Sequence, residues 1–469
     1  MEVSDNVKNA YKQDSVTKHI ALYFPELDKE ISGTPIHSES MSLSESLVDK
    51  ESIEFVGCIA SKFKINVQDL KEDVKGKRII VRIWTDGTEE EPVALFNGIV
   101  DSAMKQSNKR IKEITAYDDL YTRGNTEVAA WYKSLTFPIS LKDLRDSLFD
   151  FVGLEQVETS LPNDAITINK QYAPNTLQAL SVIKAFCQIN GAFGIINREG
   201  KFEYRILSEM YDNGTYPGPT LFPGPDTFPG ANTALRNQEL TQTGFPFYKE
   251  VKHEEFEVRP VDRVTIRQSE EDEGVTYGTG ENNYIIQGNM FSYGLSKDVL
   301  SAIAMNVYNS VQGFSYYPYR SDNNGLPFVE CGLNVVNYMM IDYEATYSEE
   351  NTSGDIIYME KSFPVLNRNL SGIQALRDTY SAEGEEYQTE FITDLQTQID
   401  ILKKKQYTGG DVPMPDLDDY YDKETIDGMF ENFEGGGGLK LVSLPTIDDY
   451  PAIPDENTLY AVQGIVVVE

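Results

Sequence analysis

From Ser32-Gly33 to about residue 122, apolar residues recur at every second position, the period of a half-buried strand. Ile53, Phe55, Gly57 and Ile59, then Phe63, Ile65 and Val67, fall on one face. Gly76 to Trp84, Leu95 to Val100 and Ile111 to Asp118 read as three further strands, each bounded by Asp-, Gly- or Lys-rich turns. Ahead of them, Asn6 to His19 carries Val7, Ala10 and Tyr11 at a spacing that predicts a short amphipathic helix. Residues 1–122 are therefore expected to form a small, mainly antiparallel barrel or sandwich.

The period then changes. Over 123–249 the pattern is α+β: Ser140 with Asp143 predicts a helix cap, and Leu141, Leu144, Leu148 and Val152 recur at helical spacing up to Gly153. A second helix is expected from Thr176 to Gly191, carrying Leu177, Leu180, Val182, Ile183 and Phe186. Two short strands follow, Ala192 to Asn197 and Phe202 to Leu207, joined by the turn Arg198-Glu199-Gly200-Lys201. Residues 217–230, PGPTLFPGPDTFPG, hold too much Pro for a ladder or a helix and predict an exposed, polyproline-like loop. Strand signals return over 250–372 at Val258 to Gln268, Val275 to Thr279, Tyr284 to Gln287 and Ile356 to Ser362. One helix interrupts them, opening at Ser296 and carrying Leu300, Ile303, Val307 and Val311. The ingredients of the first β region thus occur twice.

Residues 373–406 read as a C-terminal helix. Ile392, Leu395, Ile399 and Leu402 have the 3-4-3 spacing of a coiled-coil seam about two heptads long. Too short to associate alone, such a seam extends an existing oligomer. Residues 407–438 form an acidic linker ending in Gly435 to Gly438, and 439–469, with LKLVSLP and LYAVQGIVVVE, suffice for a small β module.

Composition narrows the functional classes. The 469 residues include 41 Lys and Arg against 75 Asp and Glu, a net charge of −34, so tight binding of nucleic acid or anionic lipid is disfavoured. Three cysteines, Cys58, Cys187 and Cys331, lie more than a hundred residues apart with no CxxC, and there are three histidines, His19, His37 and His253. Neither a disulfide framework nor a Cys/His zinc site is expected. No apolar run approaches the 18 or so residues needed to cross a bilayer, and the N-terminus is polar from its second residue. The chain is expected to fold in a reducing cytosol, uncleaved.

Candidate chemistry is sparse. His253 precedes Glu254-Glu255, but no second histidine stands a helical turn away, so a structural or solvated role is expected. Cys187, among Ala185, Phe186 and Ile189, reads as a buried thiol rather than a nucleophile. The acidic runs Glu270 to Glu273 and Asp416 to Asp419 read as solvated faces; 416–427 fails the glycine and terminal glutamate registers of a calcium loop. Gly278-Thr279-Gly280 is too short a glycine motif for a phosphate cradle. The aromatic run Phe314 to Arg320 is assigned to a core or an interface. No enzymatic activity, metal or cofactor is expected.

Several stretches carry a family resemblance: Met41 to Leu47 followed by Phe55 to Cys58; Ile114 to Asp118; Ala130-Trp131-Tyr132; Ile189-Asn190-Gly191 through Phe202-Glu203-Tyr204; and Gln374 to Tyr380. In order and spacing these resemble the baseplate-hub or tail-tip proteins of tailed phages, that is, the N-terminal hub region of tail-associated lysins and related prophage minor structural proteins. The resemblance covers about residues 1–385. It implies a mainly β homotrimer in which two tail-tube-like barrels per subunit, here 1–122 and 250–372, alternate around a ring, with 123–249 as a peripheral insertion. The stretch Tyr420 to Asp427 is similar to joints that precede small tip or fibre-attachment modules. No peptidase or muramidase domain follows, so wall digestion is expected to belong to another protein or to be absent.

The implied function is a structural hub that continues the tail tube and connects it to the tip. Its partners would be a distal tail protein or tube ring, the tape-measure protein, and a tip, fibre or receptor-binding protein. Genomic DNA would pass through without specific binding, and an acidic wall repels such a polymer and lets it slide. The implied location is the virion tail, assembled in the bacterial host cytoplasm. Two alternatives stand beside it: a glycan-binding or glycan-cleaving tail-tip protein, and the hub of a DNA-free contractile bacteriocin.

Overall fold

The computed structural model describes residues 3–11, 13, 15–48, 57–107, 110–169, 175–206, 248–269, 272–332, 334–336, 343–355, 362–384, 440–444, 458–462 and 465–467. The chain divides into two units, Met1–Thr408 and Gly409–Glu469.

The first unit opens with helix α1 (Asp5–Tyr11) and strands β1 (Lys18–Phe24), β2 (Lys29–Ser32), β3 (Ser42–Ser46), β4 (Lys62–Gln68), β5 (Arg78–Thr85), β6 (Val93–Lys105) and β7 (Ile111–Tyr117). The helix expected to reach His19 stops at Tyr11. Residues 18–24 instead form a strand paired on both sides, with Ile20, Ala21 and Leu22 buried in succession, so it has no period-two alternation to read. On β4 the expected face holds, with Phe63, Ile65 and Val67 fully buried and the Phe63 ring stacked on Phe96 at 5.3 Å.

The insertion contributes α2 (Asp119–Gly124), α3 (Ala129–Ser134), β8 (Ile139–Ser140), α4 (Leu141–Val152), β9 (Thr167–Ile168), α5 (Ala179–Asn190), β10 (Ala192–Ile196) and β11 (Phe202–Ile206). The Ser140 hydroxyl caps α4 by accepting from the Asp143 N–H at 3.0 Å, and Gly153 ends it in a left-handed conformation that favours glycine. Helix α5 starts three residues later than expected. The chain before it is held extended: the Leu177 N–H donates to Glu127, and the Leu177 carbonyl accepts from Val128.

Strands β12 (Tyr248–His253), β13 (Arg263–Arg267), β14 (Val275–Gly278) and β15 (Asn283–Gln287) follow. Next come α6 (Lys297–Val311), β16 (Tyr319–Asn324), β17 (Asn334–Val336), α7 (Tyr343–Thr346), β18 (Ser362–Pro364), β19 (Asn367–Ser371) and β20 (Arg377–Ala382). As expected, Ser296 caps α6, which buries Leu300, Ile303, Val307 and Val311. The aromatic run lies in the core: Phe314, Tyr316 and Tyr319 are buried, and the Tyr316 hydroxyl donates to the Glu383 carbonyl at 2.6 Å.

The two β regions do not stay apart. Eleven strands form one antiparallel sheet in the order β12-β16-β20-β19-β3-β4-β7-β6-β5-β1-β2. Its seam is the β3–β19 pair, with Leu43 opposite Leu370 and Glu45 opposite Arg368. Among the described residues no sheet closes on itself. Strand β20, paired with β19 and β16, carries the sheet past residue 372 into the segment expected to be helical. Smaller sheets are β8–β9, β10–β11, β17–β18 and β14-β13-β15, the last with a parallel β13–β15 pair. One hydrophobic core runs from Val7 to Ala382.

In the second unit, β21 (Lys440–Leu444) pairs in parallel with β22 (Thr458–Val462), which pairs antiparallel with β23 (Ile465–Val467).

Candidate functional site

Where the sheet seam meets the insertion, three largely buried arginines meet four carboxylates, of which Glu203 alone in this cluster keeps substantial exposure. Arg368 on β19 is fully buried and uses every donor it has. Its Nε and Nη2 hold Asp378 of β20 at 2.8–3.1 Å, Nη1 donates to Glu45 of β3 at 3.0 Å, and the remaining protons go to the carbonyls of Leu326, at 2.9 Å, and Val329. The Tyr380 hydroxyl also donates to Asp378, at 3.0 Å. A guanidinium has five N–H donors in a planar fork, and satisfying all of them is what makes its burial tolerable. Burial alone would lower the Arg368 pKa; Asp378 and Glu45 outweigh it and hold the group charged.

Glu45 is shared. Arg198, in the turn between β10 and β11, reaches it at 2.7 Å and also donates to the Leu95 carbonyl of β6. Arg205 on β11 donates to Glu203 and to Glu330, each at 3.1 Å, and to the Cys331 carbonyl. Burial would raise the Glu330 carboxyl, but the positive charge around it, Arg205 first, outweighs this and holds it well below the usual carboxylate range. A cavity of about 20 Å³, lined by Glu45, Ser46, Ser61, Arg198 and Glu330 among others, leaves room for about one water. The cluster is a joint: it ties the sheet strands of both β regions to the β10–β11 hairpin.

A further buried carboxylate fixes the start of the insertion. Asp118 caps α2, accepting from the Leu120 N–H at 3.0 Å and from the Ser61 N–H at 2.6 Å. Burial pushes its carboxyl up to about 7. A folded-state pKa above the unfolded value means the protonated form is favoured by the fold, so this stability is fully present below about pH 4 and is lost as pH rises through 7. Asp118→Asn, which stays neutral, is expected to remove that component, on the order of 4 kcal/mol across the window. Urea midpoints of both proteins from pH 4 to 8 check it; parallel curves would show that the carboxyl ionises in its ordinary range.

The residues singled out by sequence fall elsewhere. His19 is half-exposed on β1, 2.6 Å from Asp86 and stacked on Trp84, whereas His253 lies on β12, at the other end of the sheet, where its Nδ1 donates to the Glu254 carbonyl. Gly278 and Gly280 make a turn pressed against Asp262, where a Cβ on either would come within 2.2 Å of that residue. Asp272 accepts from the N–H groups of Gln268 and Gly274 and closes a turn. Among the described residues no group of His, Cys, Asp and Glu is arranged to hold a metal ion. None of their helices is long and apolar enough to cross a membrane. The seam residues Ile392, Leu395, Ile399 and Leu402, the 217–230 loop and the 416–427 stretch lie outside the described residues. The charged joint went unread because its strands look polar; the signal was Glu45 two positions from Leu43, and Arg368 two from Leu370, on inward-facing positions.

No protein-family model matches the chain, and no curated protein does. Solved structures that are similar to it include three tail proteins. The 43 kDa tail protein of prophage MuSo2 from Shewanella oneidensis is 10% identical with a TM-score of 0.44, over 78% of this chain and 98% of that one. A tail protein from Neisseria meningitidis is 13% identical with a TM-score of 0.44, over 79% and 98%. The prophage tail protein gp18 from Listeria monocytogenes is 10% identical with a TM-score of 0.41, over 82% and 99%. The chain is similar to phage-type tail proteins.

Proposed function

We propose that this chain is a structural hub of a phage-type tail tip or baseplate, without enzymatic activity, that assembles as a trimeric ring continuing the tail tube. The observation that carries the reading is where the family-like stretches fall. Met41 to Leu47 brings Glu45, Phe202-Glu203-Tyr204 belongs to β11 beside Arg205, and Gln374 to Tyr380 brings Asp378. All three supply the charged joint, while Ile114 to Asp118 ends in the cap of α2. The resemblance therefore follows the residues that seat the insertion on the sheet, as a shared architecture would require.

The net charge of −34 suits a lumen that passes DNA or tape-measure protein without holding it. Above the ring would sit a distal tail protein or tube ring, and below it a tip, fibre or receptor-binding protein, within a virion tail assembled in the host cytoplasm. Native mass spectrometry of the full chain tests the ring directly: a mass near three times 52.9 kDa is expected, with a central pore on imaging. A density map of the particle that places the chain away from the tail axis would overturn the reading.

A further inference from the structure

Cys58 and Cys187 stand 129 residues apart in sequence, yet their sulfurs approach to 3.3 Å, and both thiols are free and buried. Two local features hold them there. Residues 57–58 lie alongside β10: the Gly194 N–H donates to the Gly57 carbonyl at 2.9 Å, and Cys58 bridges Gly194 in parallel register. Gly194 leaves the space that the thiol occupies, since a Cβ there would come within 2.7 Å of the Cys58 sulfur and 2.3 Å of the Phe202 ring. Cys187 stands on the last turn of α5, next to the buried Phe186 and Ile189.

We propose that Cys58 and Cys187 form a disulfide when the protein meets a two-electron oxidant such as a peroxide, locking the 57–58 segment covalently to α5 of the insertion. The sulfurs need close only from 3.3 Å to about 2.05 Å, a change within reach of small side-chain rotations. With hydrogen peroxide, one thiol sulfur attacks a peroxide oxygen; an S–O bond forms, the O–O bond breaks, and the departing hydroxide takes the thiol proton as water. The second sulfur then attacks that sulfenic sulfur: the S–S bond forms, the S–O bond breaks, and the second hydroxide leaves with the remaining thiol proton as water. Two electrons pass from the two sulfurs to the peroxide. Burial holds the Cys187 thiol well above its ordinary pKa, so the thiolate is scarce and the crosslink forms slowly, faster at higher pH.

The inference stands apart from the tail reading, and the full-length chain tests it. Protein purified under reductant is incubated with hydrogen peroxide, then unfolded, alkylated, digested and weighed. The expected product is a peptide pair joining Cys58 to Cys187, lighter by two hydrogens than the separate peptides and absent after reduction. It should persist in Cys331→Ser and vanish in Cys58→Ser and in Cys187→Ser. The oxidised wild type should also melt roughly 5 °C or more above the reduced protein, because the bridge closes a long loop. Full alkylation of both thiols after prolonged oxidation would overturn the proposal, as would a bridge from either to Cys331. Because the first readout uses unmodified protein, it holds even if a serine variant fails to fold.

Discussion

Arg368→Met is expected to destabilise the folded chain by about 3–5 kcal/mol, because it keeps most of the volume of the side chain and removes all of its charge. What remains is the problem: among the described residues Asp378, with no exposure at all, keeps only Tyr380 as a side-chain donor, and Glu45 keeps only Arg198. The Val329 carbonyl loses its arginine donor as well, and the Leu326 carbonyl loses one of two, retaining the Val329 N–H. Urea unfolding of both proteins at pH 7 measures the loss. A double-mutant cycle with Asp378→Asn separates the pair from the packing: the two costs should be strongly sub-additive, by 1.5 kcal/mol or so, since removing both charges leaves no buried ion unpaired. A single-variant loss below about 1 kcal/mol would show that water reaches the joint, as at exposed pairs.

That joint explains which strands were legible and which were not. Strand β4 reads plainly because Phe63, Ile65 and Val67 alternate with Lys62, Lys64 and Asn66, and one face of a sheet is apolar. Helix α4 reads plainly too, because the cap, the apolar stripe and the stop all agree, and so does α6 from its cap and stripe. Strands β3, β16, β19 and β20 are SLSES, YRSDNN, NRNLS and RDTYSA, which scan as loops. Their buried positions nevertheless alternate, occupied by Ser321 and Asn323, by Arg368 and Leu370, and by Asp378, Tyr380 and Ala382. Period two survives here with polar residues on the inner face, a pattern that hydrophobicity alone cannot detect.

The same fact hid the connection between the two β regions. A duplicated set of strand signals suggests two bodies, each burying its own apolar face, whereas the β3–β19 pairing is specified by Glu45 opposite Arg368 and Leu43 opposite Leu370. Only the register shows that these residues are partners. The thiol pair is a parallel case: spacing along the chain kept Cys58 and Cys187 apart, and the bridge to β10 brings them together. By contrast, the assignment of Cys187 to the core needed only its apolar neighbours.

Phe202→Ala is expected to cost a further about 3–5 kcal/mol on its own, through a cavity rather than a stranded charge. The ring is fully buried, 5.0 Å from Phe149 of α4 and 4.9 Å from Tyr204, and it presses on Gly194, so the helix and the hairpin around it have little freedom to collapse into the space. Phe202→Leu, which refills most of the volume, should lose less than half as much. The backbone of Phe202 is also engaged, donating to the Glu155 carbonyl and accepting from the Val157 N–H, which keeps the strand in place when the ring is removed. Arg198 and Arg205 flank this ring on the same hairpin, so loosening it should weaken their hold on Glu45 and Glu330. Combined with Arg368→Met, the cost should therefore fall short of the sum of the single costs by more than 0.5 kcal/mol or so. Strict additivity would mean that the insertion and the sheet seam are stabilised independently, and that the charged joint does not transmit the seating of one to the other.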